Sequence, residues 1–201
     1  MFVVCFDLEG VFIPEIWISV AEATEIDELK LTTRDEPDYD KLMKKRIEIL
    51  KNNNITLKDI QEVIMEMGLL PGAEEFMNWI RSVTQVAVIT DNYKEFLKPF
   101  LKKLGYPLCF HHQLEVDEDG IIIDYHLTKK KMKKKAVQFF QDMNYKVIAV
   151  GDSYNDIEML KKAEFGILFK PPSKVAEEYP EFPVVDNYSD FKKILSHYLD
   201  I

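Results

Sequence analysis

At 201 residues with 47% apolar content, the chain can bury one substantial domain, or a core with a modest insert, and is too apolar for a disordered tail. Its formal charge of -9 excludes a general nucleic-acid binder, which needs a positive surface to displace phosphate counterions. A small anion can still bind at a locally positive spot.

In chain order, the pattern begins with FVVCF (2–6), a β-branched and aromatic run that is apolar on both faces, as a parallel strand covered by helices would be. Residues 14 to about 70 hold three helical patterns and no convincing strand. EEFMNWIRSV (74–83) predicts a helix, VAVIT (86–90) a strand, and YKEFLKPFLKKLG (93–105) a helix. HQLEVDEDGIIIDYHL (112–127) alternates around Asp-Glu-Asp-Gly, a hairpin signal. KKKAVQFFQDMN (133–144) predicts a helix, VIAVG (147–151) a strand, NDIEMLKKAE (155–164) a helix and FGILF (165–169) a strand, with FPVV (182–185) a weaker fifth strand. Strand alternating with helix predicts a doubly wound α/β parallel sheet. The helical stretch is then an insert after the first strand.

Cys5 and Cys109 lack any paired spacing, so a reducing, intracellular setting is the simpler reading. The start MFVVCFDLEG has no basic leader segment, and no run approaches the roughly 20 apolar residues that cross a bilayer. The expectation is a soluble, cytoplasmic protein without a membrane or nucleic-acid partner. Its oligomeric state is not readable from the pattern.

Ligands of open α/β sheets sit beyond the carboxyl ends of the strands. The first strand ends in Asp7 and Glu9, the second in Thr90 and Asp91, and the third in Asp152, with Asn155 and Asp156 just beyond. Each has a plainer reading alone: Asp7 and Glu9 as loop acids, Thr90 as a strand end or cap, GDSYND as a turn and helix start. Converging acids repel unless a cation or protons intervene, and hard carboxylate oxygens suit Mg²⁺. Together they point to magnesium with a phosphate.

DLEGV, a hydroxyl residue ending the second strand, a Lys at the start of a helix and GDSYND, in that order, resemble the four motifs of the haloacid dehalogenase-like superfamily. The resemblance implies a Rossmann-like core over 1–13 and 71–201 and a helical cap over 14–70 that closes on the site. It implies that Asp7 attacks phosphorus to form an aspartyl phosphate, and that Glu9 protonates the leaving alkoxide and then activates water or an alcohol. It places Mg²⁺ on the Asp7 carboxylate, the Glu9 backbone carbonyl and the Asp152 carboxylate, with Asp156 orienting the metal shell and Thr90 bonding the phosphoryl group. Among the six lysines of 129–135, Lys133 begins the helix pattern and is preferred for neutralising phosphate, with Lys134 and Lys130 as alternatives. Glu9 stands where the superfamily usually has Asp.

Two residues outside these motifs are singled out. On a helical projection of YDKLMKKRIEIL (39–50), Arg46 falls in the middle of the apolar arc formed by Tyr39, Leu42, Met43, Ile47, Ile49 and Leu50. It either snorkels or presents a fork to a substrate carboxylate. Glu15 is either a favourable acid in a helix's first turn or the partner of a substrate ammonium. Both functional readings describe a phosphorylated amino acid. His111 and His112, adjacent on a strand, point opposite ways and read as surface or core residues rather than a chelate.

DLEGV with PEIW, TTRDEPDYDKLMKKRIEIL, DIQEVI, GDSYND and GILF resemble the bacterial phosphoserine phosphatases that also act as phosphoserine:homoserine phosphotransferases. That resemblance runs from Phe2 to about Tyr188 and matches Glu15, Arg46, Thr90, Lys133 and Asn155 to substrate or phosphate contacts. Thr90 replaces the family's usual Ser, keeping the hydroxyl and adding a methyl. It implies a Mg²⁺-dependent phosphatase of phosphoserine, with homoserine as a further acceptor. The residues alone leave open another small phosphomonoester, a phosphosugar or phosphocholine, and a catalytically silent phosphoamino-acid sensor.

Overall fold

The runs that are apolar on both faces become parallel strands, because each must be covered from both sides. In the computed structural model, which describes residues 1–32, 35–36 and 38–200, seven strands form one sheet. They are β1 (Phe2–Phe6), β2 (Gln85–Tyr93), β3 (Leu108–Val116), β4 (Ile122–His126), β5 (Lys146–Gly151), β6 (Phe165–Phe169) and β7 (Val184–Val185). Their order is β4-β3-β2-β1-β5-β6-β7, and every pairing is parallel except β3 with β4. The chain adds β2 on one side of β1 and later β5 on the other, so the switch point lies at the carboxyl ends of β1, β2 and β5.

Alternation along β1 splits the core. Val4 and Phe6 face a cluster with α4 (Ala73–Val83), α5 (Lys94–Lys103) and α9 (Tyr188–Leu199), where Phe6, Phe76 and Phe191 meet ring to ring. Val3 and Cys5 face α6 (Met132–Asp142), α7 (Ile157–Lys162) and α8 (Ser173–Glu178).

Between β1 and α4 the described residues of 14–70 form α1 (Ile16–Thr24), a 3-10 turn at Asp27–Lys30, α2 (Tyr39–Asn52) and α3 (Leu57–Glu66), and no strand. Asp38 caps α2 by accepting from the Asp40 and Lys41 N–H groups, and Thr56 with Asp59 makes a capping box for α3. These helices touch the core through specific bonds: Leu57 N–H to Gly120 O in the β3–β4 turn at 2.8 Å, and Gln61 Nε2 to Glu95 O in α5 at 2.8 Å. Thr33, Arg34 and Pro37, within the TTRDEPDYD stretch quoted above, and Ile201 lie outside the described residues. No described helix is long and apolar enough to cross a membrane.

Several boundaries differ from expectation. β2 runs three residues past Thr90, and β3 begins at Leu108, pairing with β2 before it turns into the hairpin. The helix expected over 155–164 is split into a 3-10 turn at Tyr154–Asp156 and the shorter α7, because the Asp156 carboxylate reaches back to backbone N–H groups ahead of the turn. No expectation above covers α8 or α9. Asn187 caps α9, which buries Phe191 and Leu195.

Candidate active site

The turn after β1 carries Asp7 and Glu9. Phe12 and Ile13 N–H groups both bond the Leu8 carbonyl, and Gly10 N–H bonds Ile13 O at 2.9 Å, so these bonds leave the Glu9 carbonyl out of the turn. Gly10 has φ of 70°, and a Cβ there would stand 2.5 Å from the Asp152 carboxyl carbon. Glycine thus lets the turn lie directly against the end of β5.

At the end of β2, four residues from Ile89 to Tyr93 advance against two of β3, from Phe110 to His112. Such a bulge lifts Thr90, Asp91 and Asn92 out of the ladder. Thr90 and Asn92 are buried, and the Thr90 hydroxyl accepts from the Asn92 N–H and side-chain amide at 3.2 and 3.3 Å. Beyond β5, Asp156 is fully buried and accepts at both oxygens: Oδ2 from Asp152 and Ser153 N–H, Oδ1 from Lys133 Nζ at 2.8 Å. Gly151 permits this, since any Cβ there would strike the Asp156 carboxyl.

Lys133 lies in the first turn of α6, with Nζ 3.0 Å from Asp7, 3.2 Å from Asp91 and 2.8 Å from Asp156. It is buried, whereas Lys129, Lys130, Lys131, Lys134 and Lys135 are exposed. One cation therefore joins carboxylates from all three strand ends. Burial opposes its charge, but Asp156, Asp7 and Asp91 more than offset that and hold the ammonium well above its usual range.

The acids divide by environment. Burial, reinforced by Asp156, Asp152 and Asp91, pushes Asp7 well up despite Lys133. Burial and Asp156 push Asp152 up to about 7. Asp91 is pushed up by burial, but Lys133, His112 and Asn155 outweigh it and hold the carboxyl well below its usual range. Glu9 is pushed up to about 8, first by burial and then by Glu15. Its Oε1 accepts the Ile16 N–H at 2.7 Å, so the acid also satisfies the first amide of α1.

The remaining expected residues gather on the same edge. Asn155 donates to Asp91 Oδ2 at 2.8 Å. Glu15 is the N-cap of α1 rather than part of its first turn, and its side chain does not cap it. The Ile16 N–H at that end of α1 is taken by Glu9 instead. Glu15 acts electrostatically on Glu9, Asp152 and Arg46. Arg46 is buried on α2, stacked over Trp17 at 4.5 Å, and donates through Nη2 to Leu31 O at 2.7 Å. Its Nε has no hydrogen-bond partner among the described residues.

Three neighbours were not anticipated. Asn92 bonds Thr90 and favours the charged form of Glu9, and its place two residues after Thr90 was the available signal. Tyr39, expected only as part of the apolar arc, sends its hydroxyl to the Asp91 carbonyl at 3.2 Å and to the Tyr93 hydroxyl at 2.8 Å. His112 is buried, with Nε2 3.7 Å from Asp91 Oδ1.

Oxygens of Asp7, Asp152 and Asp156 lie within 4.8 Å of one another. The all-carboxylate donors, two of them raised by burial and mutual repulsion, fit a hard divalent cation. Asp156 already accepts at both oxygens, which suits it to hold the loop and Lys133 rather than to ligate.

A doubly wound sheet with this acidic switch point defines a hydrolase of the haloacid dehalogenase-like family, whose model matches residues 3–164, and the chain belongs to that family. Within it the chain groups with phosphoserine phosphatase ThrH of Pseudomonas aeruginosa, to which it is 48% identical over 96% of this chain and 94% of that protein. A phosphoserine phosphatase of Pseudomonas syringae pv. tomato is 46% identical over 95% of this chain and 81% of that protein. A solved substrate-bound phosphoserine phosphatase complex shares the fold with a TM-score of 0.78 at 21% identity, covering 98% of this chain and 97% of that one.

Proposed function

We propose that the protein is a Mg²⁺-dependent phosphoserine phosphatase working through an aspartyl phosphate on Asp7, and that homoserine also accepts the phosphoryl group. The observation that carries this reading is Lys133, buried between Asp7, Asp91 and Asp156 beside a Glu9 whose carboxyl is raised to about 8. An Asp7 oxygen attacks phosphorus as the bond to the serine oxygen breaks, and protonated Glu9 gives its proton to that leaving oxygen. Glu9, now a carboxylate, takes a proton from water or from the homoserine hydroxyl. The new oxygen–phosphorus bond forms as the bond to Asp7 breaks, restoring both acids. Lys133, Thr90 and Asn155 bind the phosphoryl oxygens, with Asp91 beside them at the same subsite. Asp7, the Glu9 carbonyl and Asp152 would hold Mg²⁺, which when bound supplies positive charge that shields Asp7 from phosphate repulsion.

Residues 14–70 act as the cap that excludes water and reads the leaving group. Arg46 offers its unpartnered Nε to the substrate carboxylate, and Glu15 its charge to the ammonium. Phosphocholine would leave that buried donor unsatisfied, which disfavours it. The test is phosphate release from phosphoserine with Mg²⁺, repeated with homoserine while watching for phosphohomoserine. No release under either condition would sink the reading.

A further inference from the structure

The Asp91 carboxylate sits awkwardly in this scheme. Lys133 and Asn155 are two of the three donors assigned to the phosphoryl group, yet both already bond Asp91 Oδ2, at 3.2 and 2.8 Å. The carboxylate stays ionised, since Lys133, His112 and Asn155 together outweigh its burial. An ionised carboxylate has no proton to donate to a phosphate oxygen, and two anions on one donor pair repel. Its side chain keeps 35% of its surface exposed, unlike Asp7 at 6% and Asp156 at 0%, so it alone of the three Lys133 partners has room to turn. A second partner stands ready. The Thr128 N–H donates to His112 Nδ1 at 3.2 Å, which puts the imidazole proton of the neutral ring on Nε2. That Nε2 lies 3.7 Å from Asp91 Oδ1, beyond a direct hydrogen bond and within a small side-chain rotation of one.

We propose that Asp91 is an internal competitor for the phosphoryl subsite: its carboxylate mimics phosphate on Lys133 and Asn155, and yields them to phosphate by turning to His112. This rests on the phosphoryl subsite proposed above and adds a function to it. Bound phosphate is expelled by an anion tethered to the site, which weakens product inhibition. The ligand class is inorganic phosphate or the phosphoryl group of a monoester. The opposite role, a fixed carboxylate that orients Lys133 and Asn155 for phosphate, predicts the opposite sign in the same measurement.

The test is inhibition by inorganic phosphate, and its stabilisation of the protein against heat, with Mg²⁺ present throughout. Asp91→Asn keeps the shape and removes the charge, and should bind phosphate about tenfold more tightly, as removal of a like charge from a shared donor pair implies. Asp91→Ser should shift in the same direction, which guards against a folding defect in one variant. His112→Phe should weaken phosphate binding in the native background and have no effect beside Asp91→Asn, because its role runs through that carboxylate. Phosphate binding that weakens or stays unchanged in both Asp91 variants overturns the proposal, and so does an equal effect of His112→Phe in both backgrounds. The thermal readout needs no turnover. A protein that binds phosphate without hydrolysing phosphoserine therefore fails the substrate reading alone.

Discussion

Lys133 and Arg46 are both buried cations facing one edge of the sheet, but their surroundings are opposites. Lys133 meets three carboxylates within 3.2 Å, held by strand ends and by an Asp156 that accepts at both oxygens. Arg46, on a helix outside the sheet, has one carbonyl, one weak sulfur contact and a Trp17 face, and its Nε is left over. The core side of the site is complete within the protein, as a reacting centre must be to stabilise charge without rearranging. The helical side leaves a buried donor unsatisfied, which suits the ligand-reading role proposed for it.

Breaking the core side should have the largest effect. Asp7→Asn should lower phosphate release by at least about 10⁴-fold, the scale for loss of a nucleophile; activity that survives would place the nucleophile elsewhere. Lys133→Met should follow in activity and should also destabilise the fold by roughly 3–5 kcal/mol, because three carboxylates would lose their shared partner. Denaturant unfolding without metal would measure that loss, and Arg46→Leu in the same assay should be near neutral. Comparable losses for the two would erase the contrast.

Arg46→Ala should instead reduce kcat/KM for phosphoserine by roughly 30-fold or more, as truncating one partner of a buried charge pair does, and barely change turnover of a generic aryl phosphate. Equal losses on both substrates would remove Arg46 from recognition. The smallest effect concerns pH. Glu9 and Asp152, raised to about 8 and about 7, keep protons in the folded protein that they release when unfolded at pH 4.5 and 3.8. Over that window the folded state binds more protons, so metal-free stability should fall as pH rises from about 5 to 8. Saturating Mg²⁺ should flatten the slope. A metal-free Tm that climbs across this range would contradict the raised values.

Much of the fold was legible because its signals are local. Strands such as FVVCF and VIAVG are apolar on both faces, and the arc of α2 carries its one misfit, Arg46, in plain view. The short backbone turns were harder. The β2 bulge and the 3-10 turn before α7 depend on the pairing of β3 and on the reach of Asp156, neither of which periodicity encodes.

By itself the sequence determined the alternation of strands and helices, and therefore which acids stand at strand ends, because burial imposes periods of two and 3.6 residues on the chain. Among the six lysines of 129–135 the helix pattern favoured Lys133, which begins it, but left Lys134 and Lys130 as alternatives. Only the tertiary structure decided that Lys133 turns inward while five neighbours face water, that Glu9 rather than Glu15 serves the first amide of α1, and that His112 lies behind Asp91. Those outcomes depend on groups as far apart in the chain as Asp7 and Lys133 meeting at one sheet edge, and the energies that settle them exist only once the sheet has brought them together.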